Sequence, residues 1–346
     1  MVVDLFGDNG SGSDEQGVTG VFSVSKGIGA LVIALLIQRG LLDLDKPVAH
    51  YWEDFGYGGK TAITVRQLLS HQAGLLGTGT TFEQHEILES SKAAAKLART
   101  VPQWHPGSMF GYHAITIGVF MEEIVRRVTG RELREIYEEE IRAPRQVDFY
   151  LGFPEAQEHR YRELSPMRPT IAQQAESYRG RVSSDTLGDL ASNTLGNSHS
   201  LLAGQFSPNL REVRAAGPAA IGGVGSARGL AKVYAAAIGD VAGPRFLDEA
   251  TVLKVTQQQA WGHDRVLDVD MCFGVVFAKS QPRADYGSYL AFGHDGAGGA
   301  IGFADPFHEI GFGYIPMPMQ YPGGVDPKAL VLTRTVRECI KRQLEA

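Results

Sequence analysis

Hydrophobic residues follow three different spacings along the 346-residue chain, and each spacing predicts a different kind of element. Residues 25–40 (SKGIGALVIALLIQRG) are apolar almost without interruption, which predicts a buried helix that ends in a basic turn and Gly40. Apolar residues recur at helical spacing through 62–75 and 114–130. From about residue 262, short apolar runs alternate with glycine turns, a pattern typical of consecutive antiparallel strands.

Shorter signals complete the series of elements. Residues 1–6 and 18–22 predict short strands that the polar, glycine-rich stretch 7–17 joins. Ser226 stands where an N-cap is needed for the helical pattern that follows it. Residues 327–344 predict a last helix. Strand patterns therefore lie at both ends of the chain, with helical patterns between them.

This order of elements predicts an α+β protein built from two domains. Residues 1–49 and 262–346 would form one discontinuous domain that contains the sheet. Residues 50–261 would form an inserted, mostly helical domain with a loop-rich segment near 150–215. The cleft between the two domains is the place where we expect a site.

Composition narrows the class of protein. The chain is 43% hydrophobic and carries a net charge of -6, which is typical of a soluble globular protein and gives no basic face for nucleic acid. The longest apolar run, 28–37, is too short to span a bilayer, and the first residues lack the features of a secretory signal. Cys272 and Cys339 lie in apolar-patterned segments and are expected to be core thiols. We expect a cytoplasmic protein without a nucleic-acid or membrane partner; the oligomeric state stays open.

Ser23 and Lys26 stand three residues apart at the start of the first predicted helix, in the stretch SVSK. This spacing puts two side chains on one face of a helix. A lysine that is shielded from water has a lowered pKa and helps to deprotonate a hydroxyl, so Ser23 is a candidate nucleophile. The alternative is an ordinary serine cap followed by a lysine.

Two further stretches contain candidate site residues. Tyr112, in GYHAITIG, stands at the entry of an apolar helix, and a phenol needs a neighbouring positive charge such as Lys26 to act as a base. The alternative for Tyr112 is a packed aromatic ring. The glycines of FGHDGAGGAIGFADP, residues 292–306, allow a ligand to lie against a strand whose N–H groups bind an oxyanion. The alternative there is a tight turn with a surface histidine.

The order of SVSK, GYHA and GHDG, with ITVRQLLSHQAGLL between the first two, resembles the serine β-lactamase and penicillin-binding-protein fold. The closest resemblance is to the family VIII carboxylesterases, which are similar to class C β-lactamases. It extends over about residues 18–315. The resemblance implies an antiparallel sheet flanked by helices, an inserted helical domain, and an active site in the cleft between them.

The resemblance also implies roles for individual residues. Ser23 would be the acylated nucleophile, and Lys26 would be the proton partner that holds Tyr112 toward the phenolate form. Tyr112 matches the tyrosine of the Y-x-N motif and would act as general base. The backbone N–H groups of Ser23 and Ala297 would form the oxyanion hole.

The substrate side departs from the family pattern. His294 stands in the place of the lysine of the K-T-G motif, with Gly296 as its glycine, and His113 follows Tyr112 where Y-x-N continues. These three residues, His294, Gly296 and His113, would bind substrate. A mostly neutral histidine is a poorer anchor for a carboxylate than a lysine, which favours neutral esters over β-lactams.

These expectations together predict a serine carboxylesterase that hydrolyses short-chain esters, with a small-molecule ester as its partner and with no cofactor and no metal. Three alternatives stay open. The same acyl-enzyme would make an acyltransferase if an alcohol or amine replaced water, and an amide or β-lactam hydrolase if the substrate changed. A module that binds acyl ligands without turnover is the alternative from a different class.

Overall fold

Two antiparallel sheets organise the computed structural model, which describes residues 16–173, 186–193 and 202–345. The smaller sheet has the order β1-β3-β2 and the larger follows chain order from β4 to β9. The strands are β1 (Thr19–Gly20), β2 (Phe149–Leu151), β3 (Gly223–Gly225), β4 (Ala260–His263), β5 (Asp270–Phe273), β6 (Ala278–Lys279), β7 (Phe292–Asp295), β8 (Ile301–Asp305) and β9 (Ile310–Tyr314).

Helices occupy the chain between the two groups of strands and close it. They are α1 (Val24–Gln38), α2 (Val65–Leu69), α3 (Gln84–Leu88), α4 (Ser90–Ala98), α5 (Thr116–Thr129), α6 (Leu133–Ile136), α7 (Ala143–Arg145), α8 (Leu187–Asn193), α9 (Arg211–Ala216), α10 (Ala227–Ile238), α11 (Glu249–Thr256) and α12 (Pro327–Glu345). Short 3-10 segments cover Val48–His50, Glu53–Gly59 and Glu155–Arg160, and a π-helical segment covers Tyr137–Arg142. Within this described part of the chain, the helices are too short or too polar to cross a membrane.

Helix α1 is the centre of the core, as its unbroken apolar pattern predicted. Every residue from Val24 to Ile37 is buried. The helix packs against α5 on one side and against β7 and β8 of the large sheet on another. The first turn of α1 therefore lies where the helical part of the chain meets the sheet.

Several boundaries that were predicted from local signals are confirmed. Helix α5 ends at Gly130, whose positive φ of 71° is the left-handed C-cap that glycine tolerates. The Ser226 hydroxyl accepts the N–H of Gly229 and caps α10. The glycine-punctuated runs after residue 262 form consecutive antiparallel strands.

Helix α2 is shorter than the predicted 62–75 because the chain turns at His71, whose φ is 64°.

The structure differs from the prediction in how its ends are assembled. Strand β1 pairs with β3 of the small sheet rather than with the C-terminal strands, because the 18–22 segment lies beside 223–225. Helix α10 packs on β8 and β9, which argues for grouping it with the large sheet rather than with 50–261. The division into two domains stays a prediction, and the predicted strand 1–6 lies outside the described residues. Cys272 is buried, whereas Cys339 is exposed on α12 and is not a core thiol.

Candidate active site

Ser23 lies at the N-terminal end of α1, after a turn that a strained residue makes. Phe22 has a φ of 48°, in the left-handed region that residues other than glycine rarely adopt. The Ser25 hydroxyl supports this turn: it donates to the Phe22 carbonyl at 2.5 Å and accepts the N–H of Gly223 at 2.8 Å. The turn presents Ser23 as a partly exposed residue at the start of a buried helix.

The Ser23 hydroxyl contacts Lys26 rather than the helix backbone. Lys26 Nζ lies 2.8 Å from Ser23 Oγ, and the Ser23 side chain makes no capping hydrogen bond with α1. The i, i+3 spacing therefore brings the two side chains together as the sequence indicated. An ordinary cap, the alternative for this serine, would have bonded a backbone N–H.

Lys26 is fully buried, and its surroundings change its acid–base behaviour. Its ammonium also donates to the carbonyl of Ala220 at 2.8 Å. Burial lowers the pKa of Lys26 from 10.5 to about 7, and the nearby Asp295 carboxylate opposes part of this effect. An amine with this pKa is partly unprotonated at neutral pH and is able to accept a proton from a hydroxyl.

Tyr112 lies on the other side of Lys26, whose Nζ is 5.2 Å from the centre of its ring. The ring stacks on Phe273, and the Tyr112 N–H donates to Asp264 Oδ1 at 3.1 Å. Burial raises the pKa of Tyr112 well above its usual value. The Ser23 side chain acts to lower the pKa of the phenol. Burial thus favours the protonated phenol over the expected phenolate, and it outweighs the opposing charge of Arg283.

His113 lies behind Tyr112, with both ring nitrogens bonded to the backbone. Nδ1 donates to the Gly111 carbonyl at 2.7 Å, and Nε2 accepts the Leu75 N–H at 3.1 Å. The His113 N–H donates to Nδ1 of His71 at 3.1 Å. Neither ring nitrogen of this fully buried histidine is left for substrate, so its geometry fits anchoring the Tyr112 segment.

The glycine-rich turn between β7 and β8 packs directly against the residues that precede Ser23. A Cβ on Gly296 would lie 2.2 Å from the Val21 carbonyl oxygen, so only glycine fits there. Ala297 is partly exposed, like Ser23. Among the described residues, neither the N–H of Ser23 nor that of Ala297 donates to a backbone carbonyl. Both donors are free to bind a developing oxyanion.

His294 lies beside Tyr112 as a neutral imidazole, with 5.9 Å between the ring centres. Its Nδ1 donates to the Asp295 carbonyl at 2.6 Å, so Nε2 carries the lone pair. That Nε2 is buried and has no hydrogen-bond partner in the described part of the chain. Burial, with help from Lys26, lowers the pKa of His294 to about 4, so the ring offers no positive charge at neutral pH.

The chain matches the family described as Beta-lactamase over residues 2–317. It belongs to the beta-lactamase family. The chain is also 34% identical over 311 residues to Esterase/beta-lactamase LipL of Mycobacterium tuberculosis, a match that covers 85% of this chain and 68% of LipL. The predicted β-lactamase-like hydrolase is thus confirmed at the level of the family.

Two solved structures of the beta-lactamase fold are similar to this chain. EstA from Arthrobacter nitroguajacolicus Rue61a is 47% identical with a TM-score of 0.85, over 94% of this chain and 85% of EstA. A family VIII carboxylesterase is 31% identical with a TM-score of 0.78, over 96% of this chain and 87% of its own. The predicted fold, an antiparallel sheet flanked by helices, is confirmed.

Within this fold, an ion pair that the sequence motifs did not reveal supports the glycine-rich turn. The Asp295 carboxylate accepts two hydrogen bonds from the Arg283 guanidinium, at 3.0 and 3.1 Å, and one from the Tyr286 hydroxyl at 2.9 Å. Asp295 is also the negative charge that acts on Lys26. The one signal in the sequence was the aspartate between His294 and Gly296. The Arg283 guanidinium is thus ion-paired with Asp295 through its Nη2 atom.

Proposed function

We propose that this member of the beta-lactamase family is a serine carboxylesterase that forms an acyl-enzyme on Ser23. The observation that carries the proposal is the 2.8 Å contact between Ser23 Oγ and a fully buried Lys26 whose pKa is about 7. A hydroxyl in contact with an amine that is partly unprotonated at neutral pH has the partner that nucleophilic catalysis requires.

In the first half of the reaction, unprotonated Lys26 takes the proton of Ser23 Oγ as the oxygen attacks the ester carbonyl. The carbonyl oxygen becomes negatively charged and binds between the N–H groups of Ser23 and Ala297. The neutral Tyr112 phenol donates its proton to the departing alkoxide, and the Lys26 ammonium restores that proton. An alcohol leaves, and the acyl group stays on Ser23.

In the second half, a water molecule attacks the acyl carbon and gives its proton to the now unprotonated Lys26. The tetrahedral intermediate again binds its oxyanion at Ser23 and Ala297. When the intermediate collapses, Ser23 Oγ recovers a proton through Lys26 or Tyr112, and the carboxylic acid is released. The base and the acid are thus two neighbouring groups with opposite protonation states.

The charge of the site supports neutral esters as the substrate class. Neutral His294 stands where a fixed cation would face a substrate carboxylate, and the guanidinium of Arg283 is bonded to Asp295. The names of the relatives, an esterase and a carboxylesterase among them, point in the same direction. We propose short-chain acyl esters as substrates, with His294 and Gly296 lining the substrate side.

Fluorophosphonate labelling followed by intact-mass measurement tests the nucleophile. We expect one adduct on the wild-type protein, none on Ser23→Ala, and one adduct on the control Ser91→Ala, which removes an exposed hydroxyl on α4. Hydrolysis of p-nitrophenyl butyrate by Ser23→Ala should fall by about 10³-fold or more. Labelling or undiminished hydrolysis in Ser23→Ala would exclude the acyl-enzyme. Faster turnover of a chromogenic cephalosporin than of the ester would exclude the substrate class.

A further inference from the structure

Glu122, on helix α5, reaches the loop that holds Lys26 in place. Its Oε1 accepts the N–H of Ala219 at 2.6 Å. The carbonyl of the next residue, Ala220, accepts Lys26 Nζ at 2.8 Å. Two hydrogen bonds and a single dipeptide therefore connect a carboxylate on α5 to the amine that contacts Ser23.

The dipeptide is confined between two helices by glycines. A Cβ on Gly118, one helical turn before Glu122, would lie 2.6 Å from the Ala220 nitrogen and 2.7 Å from the Ala220 Cβ. A Cβ on Gly29 of α1 would lie 3.4 Å from the Ala219 Cβ. Since the loop touches the backbones of α1 and α5, a small shift of either contact moves the Ala220 carbonyl.

We propose that Glu122 is a positioning residue for acylation: by accepting the Ala219 N–H, it holds the Ala220 carbonyl where that carbonyl fixes Lys26 Nζ against Ser23. This inference rests on the role of Lys26 in the proposed function. Glu122 itself touches neither Ser23 nor Lys26 among the hydrogen bonds and ion pairs described, so its effect is transmitted through the loop.

The required property of Glu122 is a hydrogen-bond acceptor rather than a charge. Its carboxyl is partly buried, next to Ser90 and Arg126, at the edge of a cavity of about 330 Å³. Burial raises the pKa of the carboxyl. A protonated carboxyl and a primary amide both keep a carbonyl oxygen for the Ala219 N–H. Glutamine at position 122 should therefore preserve the hydrogen bond to Ala219. Methionine has a similar length but no good acceptor, so it should lose this bond.

The test compares Glu122→Gln with Glu122→Met in the full chain, with kcat and KM measured on p-nitrophenyl butyrate. We expect the kcat of Glu122→Gln to lie within about threefold of the wild-type value. The kcat of Glu122→Met should be lower by about 10- to 100-fold, with KM nearly unchanged, because misplacing a catalytic group by about 1 Å costs up to about 10²-fold in rate. Glu123→Met is the matched control. Glu123 is buried on the same helix and ion-paired with Arg126 and Arg127, so its loss should lower Tm and leave kcat unchanged.

Two results would overturn the inference: a Glu122→Gln defect as large as that of Glu122→Met, or a Glu122→Met kcat within twofold of the Glu123→Met value. If Glu122→Met does not fold, Gly118→Ala displaces the same loop and should lower kcat in the same way. A failure of the proposed function is separate, because Ser23→Ala would then stay active. An inactive Ser23→Ala together with a fully active Glu122→Met refutes only the role of Glu122.

Discussion

Replacing Lys26 by methionine should stabilise the fold while abolishing activity. Lys26 is fully buried and its pKa falls from 10.5 to about 7. At about 1.4 kcal/mol per pKa unit, holding this amine as a buried ammonium costs about 5 kcal/mol. Between pH 7 and 10.5, Lys26 keeps its proton in the unfolded chain but has lost it in the folded chain. The free energy of unfolding contributed by Lys26 therefore rises with pH across this window, and below pH 7 the full penalty applies.

Methionine removes the charge and keeps a long unbranched side chain, so the penalty disappears. The variant also loses the hydrogen bonds to Ser23 Oγ and to the Ala220 carbonyl, and a buried carbonyl without a donor costs about 1 to 3 kcal/mol. We expect Lys26→Met to exceed wild type in unfolding free energy by about 2 to 4 kcal/mol near pH 6. The difference should shrink as pH rises above 7 and change sign between about pH 8 and pH 10, where the remaining penalty falls to the roughly 1 to 3 kcal/mol lost with the hydrogen bonds.

Denaturant unfolding of both proteins at a series of pH values from about 6 to 10 measures this difference, and groups that titrate alike in both proteins cancel. Lys60→Met is the control. Lys60 is also fully buried, but its Nζ donates to three carbonyls, those of Tyr57, Ala98 and Thr100, at 2.7, 2.9 and 2.5 Å. Three carbonyls without a donor should make that variant less stable than wild type. A pH-independent difference for Lys26→Met, or a loss of stability near pH 6, would refute the reasoning.

Two further predictions concern activity. Lys26 must be unprotonated to accept the Ser23 proton. The value of kcat/KM should therefore fall about tenfold per pH unit below pH 7 and level off above it. A rate that keeps rising through pH 10 would instead identify the Tyr112 phenolate as the base. Gly296→Ala places a Cβ 2.2 Å from the Val21 carbonyl oxygen, so it should displace the turn that is proposed to bind the oxyanion and lower kcat by about 10²-fold. Gly239→Ala is the control, because a Cβ there would have only one atom within 4 Å and kcat should not change. Equal kcat values for the two variants would contradict the role of the turn.

The elements that the sequence predicted well are those whose burial is periodic along the chain. Helix α1 is apolar on every face because it lies between α5 and the large sheet, and its pattern showed this directly. The strands after residue 262 are separated by glycine turns that mark each reversal. Pairing partners are different, since nothing within residues 18–22 specifies that they lie beside 223–225.

The groups that hold the candidate site in place were harder to predict, because their roles depend on tertiary contacts. Asp264 looks like an ordinary loop residue in sequence, yet its Oδ1 accepts the N–H groups of Tyr112, Val266 and Leu267. The group that anchors Lys26 is a backbone carbonyl, that of Ala220, which no side-chain motif reveals. The contacts of Asp264 with Tyr112 and of Lys26 with Ala220 join residues that are far apart in the chain, and residue spacing carries no record of them.

Residue types alone also left open which of Lys26 and Tyr112 is the base, because that depends on how burial acts on each. Removal from water disfavours the charged form of every group, so it lowers the pKa of an ammonium and raises that of a phenol. Lys26 and Tyr112 share one buried environment beside Ser23, and their pKa values move in these opposite directions. The same environment therefore makes the amine available as a base and keeps the phenol available as an acid. An ester hydrolysis that must first remove a proton from Ser23 and then give one to the leaving alcohol needs this pair in these two states.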